Sequence, residues 1–91
     1  LSISGNCTVN QTGNSSVSSS IYLNDDGTMT IGGQLNIVNN STTGNVQVLL
    51  SNINTATTTI TGNATITNSS TGASLSRIYL GNRGDVVFNG N

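Results

Sequence analysis

The feature that most narrows what this chain can fold into is that it repeats itself. Residues 3–30 read ISGNCTVNQTGNSSVSSSIYLNDDGTMT, residues 31–59 read IGGQLNIVNNSTTGNVQVLLSNINTATTT, and residues 60–87 read ITGNATITNSSTGASLSRIYLGNRGDVV. A further unit opens at residues 88–91 with FNGN. Ile3, Ile31, Ile60 and Phe88 open the units, and Gly5, Gly33, Gly62 and Gly90 follow two places on. Cys7, Leu35 and Ala64 match, as do Val9, Ile37 and Ile66, then Gln11, Asn39 and Asn68. Each unit later carries an apolar triplet: Ile21-Tyr22-Leu23, Val48-Leu49-Leu50 and Ile78-Tyr79-Leu80. The first and third units follow it with a turn containing Gly27 or Gly84, and the second departs there.

Within the units apolar and polar residues alternate. Met29, Ile31, Gly33, Leu35 and Ile37 fall on one side of an extended chain, with Thr30, Gly32, Gln34 and Asn36 on the other. That period of two is the mark of a half-buried strand. No stretch has helical periodicity, and β-branched residues are dense. A repeat of this kind cannot bury its own apolar side, but stacked repeats can. The expected fold is therefore all-β: a parallel β-solenoid of about three coils filling residues 1–91 as one unit. Right-handed winding follows from the crossover rule for parallel strands. An antiparallel sandwich of immunoglobulin type also has short, regularly spaced strands, but it gives no reason for the same residues to recur every turn of the repeat.

Stacking predicts columns. The expected core ladders are Ile3/Ile31/Ile60/Phe88, Cys7/Leu35/Ala64, Val9/Ile37/Ile66, Ile21/Val48/Ile78 and Leu23/Leu50/Leu80. Tyr22, Leu49 and Tyr79 should project from the opposite face. Gln11, Asn39 and Asn68 should form an amide ladder at a corner. The glycine column should mark a place where a side chain would crowd the turn. Scarce charge suits such stacking, because like charges placed over one another are destabilising. The charged residues are Asp25, Asp26, Arg77, Arg83 and Asp85 alone. Asp26 and Arg83 are equivalent positions two coils apart, too distant to pair.

The same scarcity excludes partners and chemistries. Two arginines do not supply the basic surface that neutralises phosphates, so no nucleic acid is expected. No apolar run approaches the ~20 residues of a membrane-spanning helix. Glycoside hydrolysis needs two carboxylates flanking a bond, yet two of the three aspartates are neighbours in a turn. His, Lys and Glu are absent, which removes the usual acid–base groups, so the expectation is no enzyme and no cofactor. Cys7 is alone, which forbids an internal disulfide, and reads as a small core hydrophobe. Asp25-Asp26-Gly27 could offer oxygens to calcium, but the matching turn in the third unit holds Arg83. Arg83-Gly84-Asp85 spells a tripeptide used by integrin-binding adhesins. Thr28-Met29-Thr30 and Thr57-Thr58-Thr59 resemble the ranks of ice-binding solenoids, and Asp85-Val86-Val87 breaks the series. Asn6, Asn10, Asn14, Asn39, Asn40, Asn63 and Asn68 stand in Asn-x-Ser/Thr sequons and are candidate glycosylation positions.

The chain opens at Leu1, which reads as a processed product or an excerpt of something longer. It starts and stops at the same phase of the repeat, and neither end carries a polar cap. Exposed strand edges recruit further strands, so the expected partners are adjoining coils of a longer chain or head-to-tail copies. The repeat, with its Ile-x-Gly-Asn and Ile-Tyr-Leu positions, resembles the β-strand repeats of large secreted bacterial proteins: adhesins, autotransporter passengers and fibre proteins of the filamentous-haemagglutinin type. That resemblance covers the whole chain and implies an extracellular structural or adhesive unit, without transferring any binding residue. The competing expectation is a carbohydrate-binding module using Tyr22 and Tyr79.

Overall fold

A computed structural model describes residues 1–12, 19–42, 46–71 and 76–91, and the statements below refer to those residues. They form ten strands and no helix: β1 (Ser2–Ile3), β2 (Cys7–Gln11), β3 (Ser19–Leu23), β4 (Thr28–Ile31), β5 (Leu35–Asn39), β6 (Val46–Leu50), β7 (Thr57–Ile60), β8 (Ala64–Asn68), β9 (Ser76–Leu80) and β10 (Asp85–Phe88). The strands assort into three parallel sheets. The first has the order β1-β4-β7-β10, the second β2-β5-β8 and the third β3-β6-β9. Each turn of the chain thus contributes one strand to each sheet, which is a parallel β-solenoid of about three coils.

The register is the one the repeat dictates. Ile3 pairs with Ile31, Ile31 with Ile60 and Ile60 with Phe88. Cys7, Leu35 and Ala64 align, as do Val9, Ile37 and Ile66. Ile21, Val48 and Ile78 form one column of the third sheet, and Leu23, Leu50 and Leu80 another. Hydrogen bonds between coils continue past the strand ends. Gly32 N donates to Ile3 O (2.7 Å), Cys7 N to Gln34 O (2.8 Å) and Gly62 N to Gly33 O (3.1 Å). The first-to-second sheet corner is therefore paired almost as fully as the strands, and few backbone groups are left unsatisfied.

The 29-residue middle unit conceals two changes of length. Ser19 pairs with Val46, a spacing one shorter than the step from Cys7 to Leu35. The connection from the third sheet to the first then runs through residues 51–56, against residues 24–27 and 81–84 in the other coils. One residue lost and two gained leave a net gain of one, so registers before and after the corner both match.

Burial is graded by coil. Ile31, Leu35, Ile37, Val46, Val48, Leu50 and Ile60 are at most 1% exposed. Ile3, Leu23 and Ile66 are half-buried around the same core. Leu80 (44% exposed) and Phe88 (39%) depart from the fully buried ladder expected of them. A rung is sealed by the coils on both of its sides, and these two have a neighbour on one side only. Leu49 also departs from expectation. Its register puts it on the outer face, yet it is 5% exposed, because Tyr22 and Tyr79 flank it in the same column.

Candidate functional site

The corner between the third and first sheets carries the densest polar construction. Asn24 (φ 67°), Ser51 (φ 51°) and Gly81 (φ 70°) follow their strands at equivalent positions, and all three are left-handed. Gly tolerates that conformation freely and Asn better than most. Ser51 does so while fully buried. Its hydroxyl donates to Asp85 O (2.7 Å) and shares a 2.8 Å hydrogen bond with the buried Thr58 hydroxyl. Asn24 Nδ2 donates to Thr58 Oγ1 (3.0 Å), Thr57 O (3.0 Å) and Gly27 O (3.1 Å). Thr58 stands in an inward column between Met29 and Val86, and these bonds are what let a hydroxyl occupy a core position.

On the outside of that corner a side-chain ladder crosses all three coils. Asn82 Nδ2 donates to Asn52 Oδ1 (3.0 Å), and Asn52 Nδ2 donates to Asp25 Oδ1 (2.7 Å). Asp26 Oδ1 accepts from Gly27 N (2.7 Å) and from the Thr55 hydroxyl. Both carboxylates of the Asp25-Asp26-Gly27 turn are thus occupied in holding the second coil's longer connection. Among the described residues no group of three or more His, Cys, Asp or Glu side chains converges. Gly84 lies beneath the same connection. A Cβ there would meet Ile53 O at 2.5 Å and lie still closer to Ala56 O. Arg83 and Asp85 are exposed, but Asp85 begins β10, so the Arg-Gly-Asp triplet straddles a packed turn and a paired strand.

At the first-to-second sheet corner the glycine column has a steric cause. A Cβ on Gly62 would lie 2.5 Å from Gly33 O, and one on Gly33 would lie 2.7 Å from the Gly5 carbonyl. Next to it, Asn6 Oδ1 accepts from Gln34 N (2.8 Å) and Asn63 Oδ1 from Asn91 N (3.2 Å). Beside these amides runs a groove of about 440 Å³ lined by Asn6, Thr8, Gln34, Asn36, Asn63 and Thr65. Its polar groups hydrogen-bond and carry no charge. Cys7 also lines it, and burial pushes that thiol above its ordinary pKa, away from the reactive thiolate.

The expected amide ladder is placed in register, with Gln11, Asn39 and Asn68 as successive partners. Two of the amides bond along the chain: Asn39 Oδ1 accepts from the Ser41 hydroxyl (3.0 Å) and Asn68 Oδ1 from the Ser70 hydroxyl (3.1 Å), while Asn68 Nδ2 donates to Ser76 O (3.2 Å). Asn39 continues the inward alternation of Leu35 and Ile37 and is 0% exposed, and its Nδ2 has no hydrogen-bond partner. A glycan cannot be attached to that nitrogen in the folded chain. Asn6, Asn10, Asn40, Asn63 and Asn68 are exposed, and Asn14 lies outside the described residues.

The Thr-x-Thr ranks align, Thr28 on Thr57 and Thr30 on Thr59, and the next strand puts Asp85 and Val87 over them. On the outer face of the third sheet two columns run side by side: Ser20/Gln47/Arg77 and Tyr22/Leu49/Tyr79. Arg77 Nη1 donates to the Tyr79 hydroxyl (2.6 Å), with the guanidinium carbon 5.9 Å from the ring centroid. Comparison of the chain with family models, with curated proteins and with solved structures finds no match.

Proposed function

We propose that this chain is a structural unit of an extracellular fibre or long surface adhesin, built by coil-on-coil stacking. The observation that carries the reading is the register, in which apolar residues lie over their counterparts coil after coil, Ile3 on Ile31 on Ile60 and Val9 on Ile37 on Ile66. Rungs with a coil on each side are closed to water, whereas Leu80 and Phe88, with a coil on one side, are 44% and 39% exposed. The apolar contacts of this molecule lie between coils, so each added coil seals the one beneath it. A further coil in the same register would pair its strands with those already stacked, as each coil here pairs with the next. A contact of that kind does not close on itself and generates a filament. The repeat character that resembles secreted bacterial β-strand repeats supports the same role and the extracellular setting.

Electron microscopy and fibre diffraction of the native material test this. Long uniform filaments with a meridional spacing of ~4.8 Å are the expected result. Discrete particles without that spacing overturn the reading.

A further inference from the structure

The side wall of the stack offers a second activity, independent of what happens at its end faces. On the outer face of the third sheet, Tyr22, Leu49 and Tyr79 form one column across the three strands, and Ser20, Gln47 and Arg77 form the neighbouring one. Tyr22 is 53% exposed and Tyr79 half-buried. Leu49, nearly closed to water between them, makes a filled floor, so the column is a shallow continuous strip with a ring at either end. All three aspartates lie elsewhere: Asp25 and Asp26 in a corner turn, Asp85 on the first sheet. The wall therefore presents aromatic and aliphatic carbon beside a hydroxyl, an amide and one guanidinium.

We propose that this wall binds a linear, neutral, β-linked polysaccharide laid across the strands along the solenoid axis. The in-register pairing places the two tyrosines two strand spacings apart, ~9.6 Å. That distance is close to the length of one disaccharide in an extended β-linked chain, so successive rings meet equivalent faces of alternate sugars. Sugar C–H faces are apolar and stack on aromatic rings, while their equatorial hydroxyls need donors and acceptors at the side. The Ser20/Gln47/Arg77 column supplies these at the same spacing as the sugars' supports. Arg77 acts as a positioning residue. Its 2.6 Å bond to the Tyr79 hydroxyl and its 5.9 Å approach over the ring, near the outer limit of cation–π range, hold the guanidinium and the ring as one unit on the wall. Arg77 is a single charge, and the rest of the two columns is neutral, so the wall lacks the row of cations that would select an acidic polymer. Nucleic acid is excluded by the same count.

The test is isothermal titration of the folded chain with a β-linked glucose hexasaccharide, in parallel with the α-linked hexasaccharide and a polyuronate. The β-linked sugar is expected to bind, and the α-linked one, which curves away from a flat strip, to bind at least about tenfold more weakly. Tyr22→Ala and Tyr79→Ala should each weaken binding about tenfold, the loss of one stacking anchor. Tyr22→Phe keeps the ring and should retain binding, which separates loss of stacking from loss of fold. Circular dichroism of each variant checks that the strands persist. The proposal is overturned if the β-linked hexasaccharide gives no saturable heat. It is equally overturned if the alanine variants bind as well as the parent, or if binding is confined to the polyuronate and vanishes in salt.

Discussion

Ile31 and Phe88 occupy the same column of the first sheet and differ in what covers them. Ile31 is fully buried between Ile3 and Ile60, whereas Phe88 is 39% exposed with Ile60 on one side. Ile31→Ala should therefore cost about 2–5 kcal/mol, the transfer loss plus the cavity that both neighbouring coils leave behind. Phe88→Ala should cost clearly less, although the side chain removed is larger. Urea unfolding of the two variants measures the contrast, and equal costs would contradict the coil-graded core. At this scale the repeat was readable. Period-two alternation assigned the inward faces of β4, β5 and β6, but Asn39, expected as a corner amide and a glycosylation candidate, takes the next inward place after Leu35 and Ile37 and is fully buried. What alternation could not reveal is the second layer of contact. Leu49 is outward by parity, and it is buried because the residues above and below it in the column are large. Only the pairing of coils, not the order of residues along one strand, carries that information.

The corners are where the elements depart from their alignment. A Cβ on Gly62 would sit 2.5 Å from Gly33 O, while Gly5, in the first coil, has nothing within 4 Å of the same position. Gly62→Ala should force the coils apart and destabilise by about 1–3 kcal/mol, the usual cost of overpacking. Gly5→Ala should be neutral or stabilise by about 0.4–1 kcal/mol through the unfolded chain. A thermal melt of each variant decides the matter, and equal losses would mean the column serves backbone conformation instead of clearance. The repeated glycines announced this corner in the sequence. The corner after the third sheet was legible in the first and third coils, where Asp26 aligns with Arg83, and hidden in the middle coil, whose equivalent residues are chemically unlike. Asn24, Ser51 and Gly81 share a left-handed backbone, and Asp25, Asn52 and Asn82 share a ladder, yet neither set reads as a repeat. The longer connection of the middle coil also shifted the alignment just where it was needed. Asn and Gly before a turn were an available signal for the left-handed column; Ser51 was not. The amide column at Gln11, Asn39 and Asn68 is in register, but the Oδ1 atoms of Asn39 and Asn68 accept from serines two residues on, and Asn68 Nδ2 donates to Ser76 O.

For the molecule as a whole, cohesion comes from apolar columns and hydrogen bonds between coils, with charge entering where Asn52 and Thr55 meet Asp25 and Asp26. The chain carries only five charged residues, four of them (Asp25, Asp26, Arg83 and Asp85) at or beside the corner between the third and first sheets. Such a stack should be nearly indifferent to ionic strength, because there is little Coulombic attraction for salt to screen. Its melting temperature should be the same in dilute and in molar sodium chloride within a few degrees, measured by circular dichroism. A large fall on adding salt would show that charge contributes what this account assigns to packing.

The second coil's longer connection has a consequence for how such a protein can change. Its extra residues bring the backbone oxygens of Ile53 and Ala56 down onto the place where a Cβ of Gly84 would be. Asp25 and Asp26, in the first coil, hold the opposite side of the same connection through Asn52 and Thr55. The units are therefore not interchangeable bricks. Each is cut to fit one particular neighbour, as the wards of a lock fit one key. A copying event that moved the middle unit alone would set it under a residue with a side chain and over a turn without carboxylates. Lengthening by duplication would have to carry adjoining units together, and the order in which the three occur is part of the fold.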